Sequence, residues 1–194
     1  PSNSSAASDV YKRQAYAAET DRKLNIFERN LETPIGPAAG PHTQLTQNIV
    51  ASYYAGARFF ELKTVQKMDG AELAACINRP CILADDEGYN CEWSTELYVP
   101  QAMGEYIKAW FILHVIAKEF DLGAQDGFQF NISVGYDLAG IKEPKVNTFI
   151  DSMMEAKDTE IFKECKQWLL DNVDKFEKVT KEDICLLYTS DAAD

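Results

Sequence analysis

Thr33-Pro34-Ile35-Gly36-Pro37-Ala38-Ala39-Gly40 decides how the rest of the chain is read. The stretch is apolar and has almost no side-chain bulk. It leads through Pro41, His42 and Thr43 into a helical run with Leu45, Ile49, Ala51 and Tyr53 on its inner side. That helix stops at Ala55 and Gly56. Gly56 feeds Ala57-Arg58-Phe59-Phe60-Glu61-Leu62-Lys63-Thr64, an aromatic-rich run of strand length ending in a lysine and a threonine. Strand, glycine-punctuated turn, helix and strand in that order make one βαβ unit, the building block of parallel sheets.

The small residues carry the first functional clue. Ala38, Ala39 and Gly40 end a strand with no side chain beyond a methyl, so a flat ligand has room to lie against the backbone and bond its amides. Close packing of a helix on the strand is the competing reading.

Further along, Phe128-Gln129-Phe130-Asn131-Ile132-Ser133-Val134 is the clearest strand in the sequence. Its period of two puts Gln129, Asn131 and Ser133 on one face, opposite Phe128, Phe130, Ile132 and Val134. A polar face inside a parallel strand is costly unless its groups find partners. Those partners are either neighbouring strands or a ligand at the carboxyl mouth of a barrel.

Pro34 to Gly40, the strand-ending Phe60-Glu61-Leu62-Lys63-Thr64 and Phe130-Asn131-Ile132-Ser133 together resemble the first, second and fourth strands of the dihydroorotate dehydrogenase-like flavin barrels. From about Asn25 to Ile184 the chain is similar to the amino-terminal domain of selenate reductase iron-sulfur subunits within that group. The resemblance implies an α/β fold: the amino-terminal half of a (β/α)8 TIM barrel, incomplete, with extra helices after strand four. A complete barrel needs about 250 residues.

The same resemblance implies that FMN is held by Ala38, Ala39, Gly40, Lys63, Thr64 and Asn131, with Asn90 and Ser133 on the substrate side. A cation at Lys63 would stabilise the negative charge that hydride brings to the flavin. Iron-sulfur clusters, FAD and NADPH are implied only for domains beyond this sequence. Where dihydroorotate dehydrogenases carry a proton-abstracting cysteine or serine after the Asn-x-Ser motif, this chain has Val134, which has no proton to exchange. Three functions remain open: a flavin-dependent oxidoreductase subunit acting on a small-molecule substrate or electron-transfer partner subunits, a cofactor-free scaffold docking such partners, and a pyrimidine- or purine-related reductase with Tyr136 as proton donor.

Both ends read as foreign. A DNA string resembling a transposase sequencing adapter encodes Ser4 to Gln14 codon by codon, and its reverse complement encodes Cys185 to Asp194. The expected organisation is therefore a disordered artefact at 1–14, a partial barrel at 15–184 and a second artefact at 185–194.

The 194 residues carry a formal charge of −12, which argues against a nucleic-acid surface. No apolar run is long enough to span a membrane. Cys76, Cys81, Cys91 and Cys165 lack the tight pairing of a zinc or cluster site and read as reduced, mostly buried thiols of a cytoplasmic protein. Ala15 to Asn30 reads as a short helix or arm, Ala71 to Ile77 as a short helix and Pro80 to Ala84 as a short strand. Asp85 to Thr95 reads as a polar loop able to cover a pocket. Pro100 opens the longest helix, to about Phe120, with Tyr106, Ile107, Trp110, Phe111, Leu113, His114 and Ala117 on its apolar face. Two amphipathic helices follow Pro144, one carrying Val146, Phe149, Ile150 and Met153, the other Ile161, Cys165, Trp168, Leu169 and Phe176.

Overall fold

A computed structural model describes residues 24–27, 29–65, 68, 72, 75–76, 82–83, 94–95, 97–134 and 138–187. The chain enters as an antiparallel hairpin, β1 (Leu24–Ile26) with β2 (Arg29–Leu31), turning at Phe27 with φ 48°. This replaces the helix or arm expected for Ala15 to Asn30 within its described part.

Two helices and two strands form the centre. Helix α1 (Thr46–Tyr54) buries Ile49 and Tyr53 but leaves Ala51, expected on its inner side, exposed. It ends as a Schellman turn: Gly56 takes φ 111°, the Ala57 amide bonds the Ser52 carbonyl at 3.0 Å, and the Gly56 amide bonds the Tyr53 carbonyl at 2.9 Å. β3 (Phe59–Val65) follows. The pair β4 (Ile82–Leu83) and β5 (Ser94–Thr95) is a separate two-residue ladder. Helix α2 (Val99–Glu119) then crosses to β6 (Gln129–Val134), which pairs in parallel with β3.

Strand alternation divides this sheet into two faces. Phe60, Leu62, Phe130 and Phe128 join Tyr53, Tyr106, Trp110, Phe111 and Leu113 of the helices in the hydrophobic core. Phe60 and Phe130 meet edge to face at 5.4 Å, and Tyr53 and Phe128 at 5.7 Å, geometries that aromatic quadrupoles favour. Phe59, Glu61, Lys63 and Asn131 lie on the opposite, half-open face. In a closed barrel that face looks inward.

The stretch from Thr33 to Gly40 runs extended along β3 without forming a full ladder. Its carbonyls accept: the Ile35 oxygen takes the Arg58 and Phe59 amides at 2.8 and 3.2 Å, and the Pro37 oxygen takes the Glu61 amide at 3.1 Å. It cannot donate symmetrically because Pro34 and Pro37 have no N–H. Gly36 is obligatory here, since a Cβ would lie 1.3 Å from the Phe59 carbonyl oxygen.

The strand expected as the fourth lies directly beside the second. Among the described residues nothing stands between β3 and β6, and α2 is the crossover that joins them. A shift in register between Leu62 and Val65 bends β3 at its carboxyl end, where the Tyr106 hydroxyl donates to the Lys63 carbonyl at 2.7 Å.

Beyond β6 come α3 (Leu138–Ile141), α4 (Pro144–Met154), α5 (Glu160–Asp171) and α6 (Lys181–Leu186). Val146, Phe149 and Met153 of α4 and Phe162 and Leu169 of α5 are buried against α2, whereas Trp168 is 60% exposed. Thr159 caps α5 by accepting the Phe162 amide, and Thr180 with Asp183 forms a capping box for α6. The expected boundary between Ile184 and Cys185 falls inside α6.

Candidate functional site

The inner face of the β3–β6 pair gathers most of the residues singled out in the sequence. Strand register fixes two levels and brackets a third. Phe59 stands opposite Gln129 and Glu61 opposite Asn131, while Lys63 and Thr64 fall abreast of Ser133 within the register shift. The stretch beginning at Thr33 matches Ile35 to Phe59 and Pro37 to Glu61. That series of bonds ends at Pro37; the chain then bends at Ala39 and Gly40, and the turn that follows packs against β3. Lys63, Thr64 and Ser133 thus stand at the carboxyl end of the β3–β6 pair, with the turn after Gly40 against β3, and Asn131 sits one level deeper.

Each position is held locally. Gly40 is buried in a tight turn: the Thr43 hydroxyl both receives the Gly40 amide at 3.1 Å and donates to its carbonyl at 3.0 Å, and the 3₁₀ turn Pro41–Thr43 packs against β3. A Cβ at Gly40 would come within 2.8 Å of the His42 ring. Ala38 and Ala39 are exposed, and no hydrogen bond engages their amides among the described residues. Lys63 is half-buried and its ammonium donates to the Thr64 carbonyl at 3.4 Å. No ion pair joins it to Glu61 among the described residues.

Asn131 is half committed. Its Nδ2 donates to the Phe60 carbonyl at 3.2 Å and its Oδ1 accepts from Gln129 Nε2 at 3.1 Å. One N–H and one lone pair of the carboxamide remain. Gln129 is 3% exposed, and its Oε1 is buried without a hydrogen-bond partner.

These residues fit a flat heterocycle in their free Ala38 and Ala39 amides, the Lys63 cation and the spare valences of Asn131. Gly40 fits differently from expectation, because its peptide group is spent on the Thr43 turn and contributes shape rather than a bond. Asn90, Tyr136 and the loop Asp85 to Thr95, apart from the Ser94–Thr95 backbone, lie outside the described residues, and Ser133 is described only as a backbone position of β6.

His114 lies between Trp110 at 4.3 Å and Phe128 at 4.9 Å, on the helix side of the sheet and away from this rim. Cys76 is exposed, which corrects the expectation of mostly buried thiols. Cys165 is half-buried, and burial pushes its thiol up. Cys81 and Cys91 lie outside the described residues.

Sequence reasoning missed Glu61, which stands on the same inner face between Phe59 and Lys63. The signal was present: a charged residue at the same parity as Lys63 in a strand whose alternate positions are apolar.

Parallel strands joined by a helical crossover, with helices on one face and a polar rim on the other, are an α/β arrangement of the kind that builds TIM barrels. The sequence pattern of the family described as "Oxidoreductase YgfK, N-terminal TIM-barrel domain" matches residues 8–190, and the chain belongs to this family. It is 49% identical over 150 residues to the "Putative oxidoreductase YgfK" of Escherichia coli strain K12, covering 77% of this chain and 14% of that protein. The protein of the same name from Escherichia coli O157:H7 matches equally. The chain thus spans about a seventh of these curated relatives. No solved structure matches it. No described helix is long and apolar enough to cross a membrane.

Proposed function

We propose that this chain is the leading part of an FMN-binding barrel in an oxidoreductase whose electron-transfer domains lie elsewhere in the same polypeptide. The observation that carries this reading is the shared rim. Lys63 and Asn131 face the same side of one parallel pair, and the Thr33 to Gly40 stretch is bonded alongside β3 as far as Pro37, its bulk-free end leading into the turn that packs on β3. Ala38 and Ala39 would offer backbone amides to the ring, Thr64 would line its edge, and the Lys63 ammonium would meet the electron-rich pyrimidine end. Bound FMN supplies hydride acceptance and one-electron transfer. Asn90 and Ser133 complete the substrate side of the proposal.

The finer reading is a cytoplasmic, selenate reductase-like subunit that passes electrons between FMN and iron-sulfur, FAD and NADPH domains. Support for the oxidoreductase class comes from the family. The flavin itself is tested by purifying the full-length protein and recording its visible absorbance. A yellow protein that releases FMN on denaturation is expected, with FMN content lowered by Lys63→Ala. A full-length protein that releases no FMN on denaturation would overturn the reading.

A cofactor-free scaffold that docks partner subunits is the second reading. It is favoured by the closure of Gly40 on Thr43 and of Asn131 on Phe60 and Gln129, which spends polar groups on the fold itself. It requires a full-length protein that assembles normally without FMN.

A further inference from the structure

We propose that Glu61 receives the N–H of a cyclic amide or imide whose adjacent carbonyl is bonded by Asn131; this rests on the inner face being the ligand site. Glu61 and Asn131 are direct register partners on neighbouring parallel strands. Such strands lie about 4.8 Å apart, so the two side chains rise side by side from the same face. Glu61 is half-buried, and no hydrogen bond or ion pair engages its carboxylate among the described residues. Withdrawing a carboxylate from water is costly unless a donor meets it.

The chemistry of the pair is specific. A carboxylate only accepts, whereas Asn131 keeps one N–H to donate after bonding Phe60. An acceptor beside a donor is complementary to an N–H beside a C=O, the edge that lactams and cyclic imides present. Lys63, one level nearer the rim on the same face, then supplies positive charge beside the ring rather than beneath it. Two sources share this edge: the pyrimidine ring of a flavin and a free pyrimidine substrate.

Full-length protein and its Glu61→Gln variant, stripped of flavin, would be titrated with FMN by fluorescence quenching. Both would then be titrated with uracil by calorimetry, with and without FMN. Loss of one charge-assisted hydrogen bond weakens the bound partner by about ten-fold or more. A loss confined to FMN assigns the edge to the flavin; a loss confined to uracil, with FMN binding kept, assigns it to the substrate.

Equal affinities in variant and parent for both probes would overturn the inference while leaving the flavin reading intact. A parent that binds uracil but no FMN would overturn the flavin reading alone. A parent that takes neither overturns both. Glu61→Asp, which keeps the charge but shortens its reach by one methylene, serves if Glu61→Gln does not fold; it is expected to weaken the same probe, and unchanged affinities there overturn the inference equally.

Discussion

Arg58 donates through Nε to Glu32 Oε2 at 2.7 Å, an ion pair in which the arginine side chain is wholly buried and the carboxylate is 10% exposed. Three more of its N–H groups bond backbone carbonyls. One terminal nitrogen bonds the Tyr53 and Ala57 carbonyls at 2.9 Å, the other bonds the Leu122 carbonyl at 2.7 Å, and the guanidinium lies 3.9 Å from the centre of the Tyr53 ring. Glu32 in turn accepts the Ala124 amide at 2.8 Å. This cluster ties the entry to the Thr33 stretch, the end of α1 and the loop from α2 to β6 at the foot of the sheet.

Arg58→Met is expected to destabilise the domain by about 3–5 kcal/mol, because it leaves the Glu32 carboxylate buried without its cation. The measurement is the urea midpoint. Combining it with Glu32→Met removes the stranded charge and is expected to recover part of the loss. A double variant as unstable as the single one would show that the pair does not act as a unit.

Two glycines make opposite predictions. Gly36→Ala would drive a methyl into the Phe59 backbone, which cannot swing aside, so the Thr33 stretch should peel from β3 and the protein become protease-sensitive there. Gly104 lies inside α2, where an added Cβ meets only Ile161 Cγ1 at 3.9 Å. Gly104→Ala is therefore expected to stabilise by about 1 kcal/mol through helix propensity. Thermal midpoints should move in opposite directions.

What was legible in the letters follows from locality. α2 and β6 declare themselves by periods of 3.6 and two, and Gly56 marks the end of α1 because only a left-handed turn joins it to β3. The hairpin at Leu24 to Leu31 was not legible: its turn residue is Phe27, with no glycine or asparagine to announce it. Pairing of β3 with β6 depends on register across 70 residues in the sequence, as Phe59 with Gln129 illustrates, and no local pattern encodes that. Within the site, Lys63 and Asn131 were legible as polar residues in apolar strands. Glu61 shares the face of Lys63 because residues two apart on a strand point the same way, yet sharing a face does not make an ion pair.

Glu105 of α2 caps α1 from outside it. Its Oε2 accepts the Thr46 amide at 2.8 Å and the Thr46 hydroxyl at 2.7 Å. Burial pushes this carboxyl up, but the hydrogen bonds from Thr46 and Lys108 outweigh it and hold the group below the usual glutamate range. A depressed folded value means the contribution is present above the unfolded pKa and is lost as pH falls through the folded one. Stability measured from pH 6 downward should fall in the acid range, and Glu105→Gln should flatten that limb while costing about 1 kcal/mol at neutral pH. An unchanged acid limb would show that Glu105 is not the group responsible.

Tyr53 titrates at the other end of the scale. Burial raises its phenol to about 12, the nearby Arg58 charge opposing and Glu32 adding to the shift, and its hydroxyl donates to the Leu122 carbonyl at 3.0 Å. A raised folded value gives stability that is complete below the ordinary tyrosine pKa near 10 and lost as pH climbs through the folded value. Alkaline unfolding between about pH 10 and 12 should therefore weaken in slope in Tyr53→Phe.

An unfinished barrel should betray itself in solution. Ile35 is 69% exposed on the flank of the extended segment, beside a groove of about 330 Å³ lined also by Gly36, Pro37, Ala55 and Ala57. A second, apolar groove of about 490 Å³ runs between α2 and α5, with Phe111, Ile112, Val115, Ile161 and Trp168 in its walls. Unpaired strand edges and apolar surface of this kind recruit other chains. The chain by itself is expected to bind a hydrophobic dye strongly and to sediment as oligomers, whereas the full-length protein, carrying the rest of the barrel, should bind little. Ile35→Lys on the open flank should lower both dye binding and association of the isolated chain without altering its helical circular dichroism. A monomeric isolated chain with a sharp cooperative melt and no dye signal would mean that these strands close on themselves without the remainder of the barrel.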